Sequence, residues 1–193
     1  MINLLKSILI MISLICSNVF GQTINRYGTT AANFLEIGVG SRATSMGDAY
    51  VAVANDVSSI YWNPAGLSNV SNSSALFMVQ PWLVDIDMLF AGGAVVVPNV
   101  GVLGLGITHL DYGEMDVTNL EYQDGTGERF GASDMAATFT FSRKIVSWFS
   151  FGSSMKYISS NIWHSSASAF AVDLGVLVNT KFFSFTGNDK DGM

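Results

Sequence analysis

Apolar residues recur at every second position through most of the chain beyond residue 73. Ala137, Phe139 and Phe141 fall on one face, with Ala136, Thr138, Thr140 and Ser142 on the other. Phe149, Phe151, Met155 and Tyr157 oppose Ser150, Gly152, Ser154 and Lys156. Leu103, Leu105 and Ile107 alternate with Gly104, Gly106 and Thr108. Phe170, Val172, Leu174, Val176 and Val178 alternate with Ala169, Ala171, Asp173 and Gly175. A period of two belongs to strands, whose side chains point to opposite faces in turn. The pattern predicts strands near 73–82, 87–97, 100–110, 132–142, 147–159 and 167–179. A soluble sandwich also alternates, but its polar face usually carries many Lys, Glu and Arg. Here that face is Ser, Thr, Gly and Ala. An outer-membrane barrel has this dyad, apolar toward lipid and small or polar toward the lumen. The expected fold is therefore all-β: a partial antiparallel transmembrane β-barrel, with about six strands present.

The joins carry a second pattern. Pro98-Asn99 reads as a tight turn and Lys144-Ile145-Val146 as a short join, while Asp111–Gly131 between them is long and polar. Barrels of this kind have short periplasmic turns and longer outer loops. A periplasmic N-terminus puts both short joins inside and the long one outside. Trp82, Trp148, Tyr157 and Trp163 fall near the predicted strand ends, as an aromatic girdle would. Six strands cannot close a membrane barrel, since the smallest has about eight. An open edge in lipid leaves backbone groups unpaired. Either several chains assemble one barrel or the sequence is the front part of a longer protein, and the second is expected. The tail Thr186–Met193 reads as a turn.

Composition narrows the class. Of 193 residues, 49% are hydrophobic and only 12% charged, about half the charge of an ordinary soluble domain. That excludes a disordered chain. A net charge of −6 argues against a nucleic-acid partner. The single cysteine, Cys16, excludes a disulfide framework and a cysteine zinc site. Lys6, the apolar run Ser7–Ile15 and Val19-Phe20-Gly21 read as a Sec signal peptide over 1–21, with the exported chain starting near Gln22. The run is too short to span a bilayer as a helix, and Ile15 is too bulky for a lipidation signal at Cys16.

Residues 22–72 break the alternation and read as a plug segment containing short helix, followed by the wall at 73–193. Ser45 with Asp48 has capping-box spacing, and Ala43, Met46 and Tyr50 share a helical face. Ala49–Ala54 fits a short strand equally well. Asn55 or Asp56 is placed to cap a helical turn running through Tyr61. Asn63-Pro64-Ala65-Gly66 suits a type I turn, with Pro at the second position and Gly at the fourth. Gly38-Val39-Gly40-Ser41-Arg42-Ala43 matches a dinucleotide fingerprint in letters only, because no βαβ unit follows.

Catalytic chemistry is thinly supplied. His109 and His164 are the only histidines, and nothing positions a nucleophile such as Ser159 beside either. His109 shares a strand face with Asp111 if the strand continues. Six acids in 111–131, namely Asp111, Glu114, Asp116, Glu121, Asp124 and Glu128, face Arg129 alone. Clustered oxygens suit a hard cation, but EF-hand spacing is missing and a solvated loop is the expectation. No enzyme activity, cofactor or metal is expected.

The run Phe34–Leu67, FLEIGVGSRATSMGDAYVAVANDVSSIYWNPAGL, resembles the N-terminal signature of the PorV/PorQ family. Its second half is also similar to the wider FadL-type outer-membrane family. Asp48 and Asn55 stand where that pattern more often has Gly and Asp. The resemblance implies an outer-membrane barrel with more strands than this chain holds and an N-terminal segment tucked into the lumen. It implies a part in type IX protein secretion, with secreted cargo proteins or other secretion components as partners besides outer-membrane lipid. The alternative is a FadL-like transporter of hydrophobic small molecules. Arg42, Met46, Gly47, Asp48, Asp56, Trp62, Asn63, Pro64 and Gly66 are the candidate plug and anchor residues. Within them, Trp62–Leu67 is expected to fix the plug to the wall. Trp62 would pack there, and Gly66 would let the chain pass close to it.

Overall fold

The computed structural model describes residues 31–84 and 86–179. The signal peptide, Cys16, the start near Gln22 and the Thr186–Met193 turn lie outside the described residues.

Six strands form one antiparallel sheet in chain order: β1 (Ser74–Pro81), β2 (Asp87–Val97), β3 (Gly101–Asp116), β4 (Arg129–Val146), β5 (Phe149–Ile162) and β6 (Ser165–Val178). Each strand pairs with its sequence neighbours only. The sheet is not closed, and it fits part of a barrel. Pro98 and Asn99 make the β2–β3 turn. Asn99 takes φ 65° and Val100 N–H donates to Val97 O at 3.2 Å, as proline then a left-handed residue allow in a type II turn.

Strand ends differ from the alternation reading. β3 runs on to Asp116 and β4 starts at Arg129, so the polar loop is residues 117–128 rather than 111–131. The reason is cross-strand pairing. Arg129 bonds Glu114 at 3.2 Å and Asp116 at 3.0 Å, and Tyr112 donates to Asp134 at 2.7 Å. Lys144-Ile145-Val146 is not a join but the end of β4. A bulge between Lys144 and Val146 absorbs one residue, and Ser147-Trp148 makes the turn. The β5–β6 join is only Trp163-His164, so the long-loop side is not uniformly long. Trp82, Trp148 and Trp163 do sit at strand ends, in joins at both rims. Tyr157 does not: it is mid-strand, opposite Ala137 and Phe170.

The two faces match the alternation. Phe77, Leu105, Ile107, Phe139, Met155, Phe170, Val172 and Leu174 lie on one face and are exposed. Phe141, Phe149 and Phe151 share that face and are half-buried. The other face carries Met88, Phe90, Ala94, Val102, Thr108, Ala136, Thr138, Thr140, Ser142, Ser150 and Ser154, all buried. What buries them is the segment from Ala32 to Val70. Phe34, Val39, Val57, Ile60 and Leu67 from that segment share one core with Met88, Phe90, Leu110 and Ile158 of the sheet.

Candidate functional site

The segment turns often because its sequence allows little regular structure. A 3-10 turn, η1 (Asn33–Glu36), buries Phe34. Gly40 (φ 101°) then opens α1 (Ser41–Ser45). The expected capping box is not formed. The helix starts at Ser41, and Ser45 Oγ donates back to Arg42 O at 2.9 Å. Gly47 and Asp48 both take left-handed φ values of 63°, which stops the helix. Ala43 and Tyr50 are therefore buried while Met46 is exposed. Residues 49–53 are turns, not a strand. The φ at Asp48 is one that glycine adopts without steric cost. Asp48's carboxylate fills the space where Gly38 has no side chain.

Asp56 organises the turn before the next helix, although the residue at that helix's N-cap is Ser58, not Asn55 or Asp56. Its carboxylate accepts from the Ser58 N–H at 2.8 Å, the Ser58 hydroxyl at 2.5 Å and the Tyr50 hydroxyl at 3.3 Å. α2 (Ser59–Trp62) follows, and Pro64 then starts η2 (Pro64–Asn69). The expected Asn63–Gly66 turn is present, closed by Gly66 N–H to Asn63 O at 2.9 Å. It continues as a 3-10 helix because proline's fixed φ suits the first helical position.

Asn63 is the hub. Its amide donates to Val51 O at 3.0 Å and to Val176 O of β6 at 3.2 Å, and its own oxygen accepts from Ala65 N–H at 3.1 Å. Pro64 and Ala65 press on Gly152 of β5, and Asn63 and Pro64 on Gly175 of β6. A Cβ at either glycine would collide with them. Gly152 and Gly175 are directly paired across the two strands. Ser142 of β4 donates to Ala65 O at 3.1 Å. Ile60 and Leu67 occupy the space over Gly104 and Gly106 of β3, and Val57 lies over Gly92 of β2. The small inner residues of the wall are thus the imprint of the segment.

Of the nine candidate residues, Asn63 and Pro64 touch the wall. Gly66 does not pass against it. Its missing side chain makes room for Ala54 O and Ser59 inside the segment. Trp62 packs edge-on to Tyr50 and Tyr61 and donates to Val39 O at 2.8 Å, so it braces the segment internally. Arg42 bonds Asn55 at 2.9 Å and lies over the Tyr50 ring. Met46, Gly47 and Asp48 shape an exposed corner. Leu67, at the end of the expected anchor stretch, does meet the wall, while sequence reasoning misses Val57, Ile60, Gly152 and Gly175 as contacts. Their only sequence signal is an apolar i, i+3 pair and glycine at inward strand positions.

The electrostatics are mild. Tyr61 donates between the Leu35 and Ile37 carbonyls, at 2.5 and 2.8 Å. Burial first, then Asp48 and Glu36, push its hydroxyl well above the usual tyrosine value. Burial and Asp56 also raise Tyr50. Lys156 and Asp173 form a 2.7 Å pair on the covered face, beside a cavity of about 400 Å³ that Asn63 and Pro64 also line. His109 lies on the uncovered strand face, with Met135 and then Ser159 on the next two strands, while His164 stacks on Trp163 in a turn. These histidines share no site. Among the described residues the buried Ser59 hydroxyl is the one side-chain polar atom without a partner.

Fold and site together define an all-β wall: an open antiparallel meander whose one face is filled by its own N-terminal segment. No family model and no curated protein matches the chain in sequence.

Proposed function

We propose that the chain is an outer-membrane β-barrel protein of PorV/PorQ type, acting in type IX secretion by binding cargo proteins or delivering them to the surface. One observation carries the membrane half of this reading. The uncovered face is apolar from β1 to β6, with Phe170, Val172 and Leu174 about 70% exposed, while the opposite face is already filled. An apolar face of that extent marks a membrane or protein contact, not a water-facing surface. The family half rests on the run Phe34–Leu67. In this reading 1–21 is a Sec signal peptide, the six strands are the first part of a longer barrel, and the chain has no enzymatic role or cofactor.

Protein handling is favoured over passage of small hydrophobic molecules by the covered face. Its apolar residues Met88, Phe90, Leu110 and Ile158 are packed against the seated segment, with the buried Ser and Thr of β4 and β5 beside them. The FadL-like alternative draws on the motif Tyr61-Trp62-Asn63-Pro64-Ala65-Gly66-Leu67. Fractionation should recover the protein in the outer membrane. A strain lacking it should retain secreted proteins while taking up hydrophobic solutes normally. Lost uptake with normal secretion selects the transporter, and a water-soluble periplasmic protein removes both readings.

A further inference from the structure

We infer that the N-terminal segment is a template on which the wall strands are laid, and that Asn63 holds the open edge of β6 during assembly. Ladder parity sets which backbone groups of β6 face β5 and which face the edge. Asn179 N–H donates to Trp148 O directly opposite it, at 2.8 Å. In an antiparallel pair the bonded positions alternate, so odd-numbered residues of β6 bond to β5. Even-numbered residues point their N–H and C=O away, toward the edge where no strand is paired among the described residues. Val176 is one of these. Its carbonyl, which faces that edge, is taken by the side chain of Asn63, 113 residues earlier.

The same segment touches every strand from β2 to β6. Val57 sits on Gly92, Ile60 and Leu67 on the glycines of β3, Ala65 on Ser142, Pro64 on Gly152 and Asn63 on β6. A stopper added to a finished wall needs only to fit its outline. A residue that caps an edge carbonyl while its neighbours fill a glycine position on each side of the β5–β6 seam also fixes which strand lies where. Each contact is between groups far apart in sequence, so the loop-closure cost of one is shared by the rest once the segment is in place. The inference stands on the seated geometry and does not need the membrane reading.

The test is the order of events in refolding of the full chain. Trp82, Trp148 and Trp163 are changed to Phe, leaving Trp62 as the only tryptophan. Cys16→Ser and Asp173→Cys then place a single nitroxide quencher on the covered face of β6, at the cavity that Trp62 also lines. Quenching of Trp62 reports seating on β6, and far-ultraviolet circular dichroism reports strand formation, after dilution from urea into detergent micelles. Quenching should develop no later than the strand signal. Asn63→Asp, which keeps the acceptor but cannot donate to Val51 O or Val176 O, should slow both at least about tenfold, the scale of two lost hydrogen bonds. Strands that complete while Trp62 remains unquenched overturn the inference. So does an Asn63→Asp protein whose strands form at the parent rate. If that variant does not fold, the order in its parent decides. Failure of micelles to support folding, with normal folding in buffer, counts against the membrane reading and leaves the order of signals intact.

Discussion

Two buried polar side chains four residues apart have opposite standing. Asn63 uses both amide hydrogens and its oxygen, whereas the Ser59 hydroxyl has no partner. Removing Asn63's side chain leaves two part-buried carbonyls and the buried Ala65 N–H without their partner. Asn63→Ala should therefore cost about 1–3 kcal/mol, while Ser59→Ala should leave stability unchanged or raise it by about 1 kcal/mol. Urea titrations of the two variants check this contrast. Tyr61 adds a pH dependence. Its folded value lies above the unfolded 10.0, so its contribution is complete below pH 10. It is lost as pH rises, because the unfolded chain releases the proton first. Tyr61→Phe removes a bond to backbone carbonyls and should be weaker at neutral pH. It should also lose less stability than wild type on going from pH 9 to 11.

At the level of strands, the alternation exposes which residues face which way, because a period of two is a local property. It does not expose where strands stop. Arg129, Glu114 and Asp116 look like loop residues until they are seen pairing across β3 and β4. The bulge at Ile145 likewise hides the end of β4. Nor can the spacing of Gly152 and Gly175 announce a neighbour. Their partner is a turn far earlier in the chain, and a glycine at an inward strand position can equally mark a bulge or a bend. Asn63 and Pro64 are legible because turn chemistry is local. Gly66 reads as a wall contact because it is close in sequence to residues that are, yet closeness in sequence does not set which way a backbone faces. On the proposed membrane reading, Phe139 and Val172 face lipid. Phe139→Arg or Val172→Arg near the midplane should cost roughly 2–4 kcal/mol. Folding titrations into lipid vesicles measure it, and wild-type stability of both variants removes the assignment.

For the molecule as a whole, the segment is what turns a two-faced sheet into a body with one exposed face. Gly175→Val puts a side chain where Asn63 and Pro64 sit, and overpacking of this kind costs about 1–3 kcal/mol. Pro64→Ala frees φ at the same contact. Both variants should show weaker heat-modifiable gel mobility and a larger small-solute leak in vesicles than wild type, with Gly175→Val the worse. If both seal like wild type, the turn does not anchor the segment. The distance in sequence between Asn63 and Val176 also has a meaning in time. The ribosome adds about 5–20 residues per second, so the 113 residues between amide and carbonyl correspond to roughly ten seconds of synthesis. Through that interval Asn63 exists without its partner on β6, and Val57, Ile60 and Leu67 wait a shorter time for β2 and β3. A chaperone that grips short apolar stretches meets this segment before its own wall does, and must release it on β6's schedule.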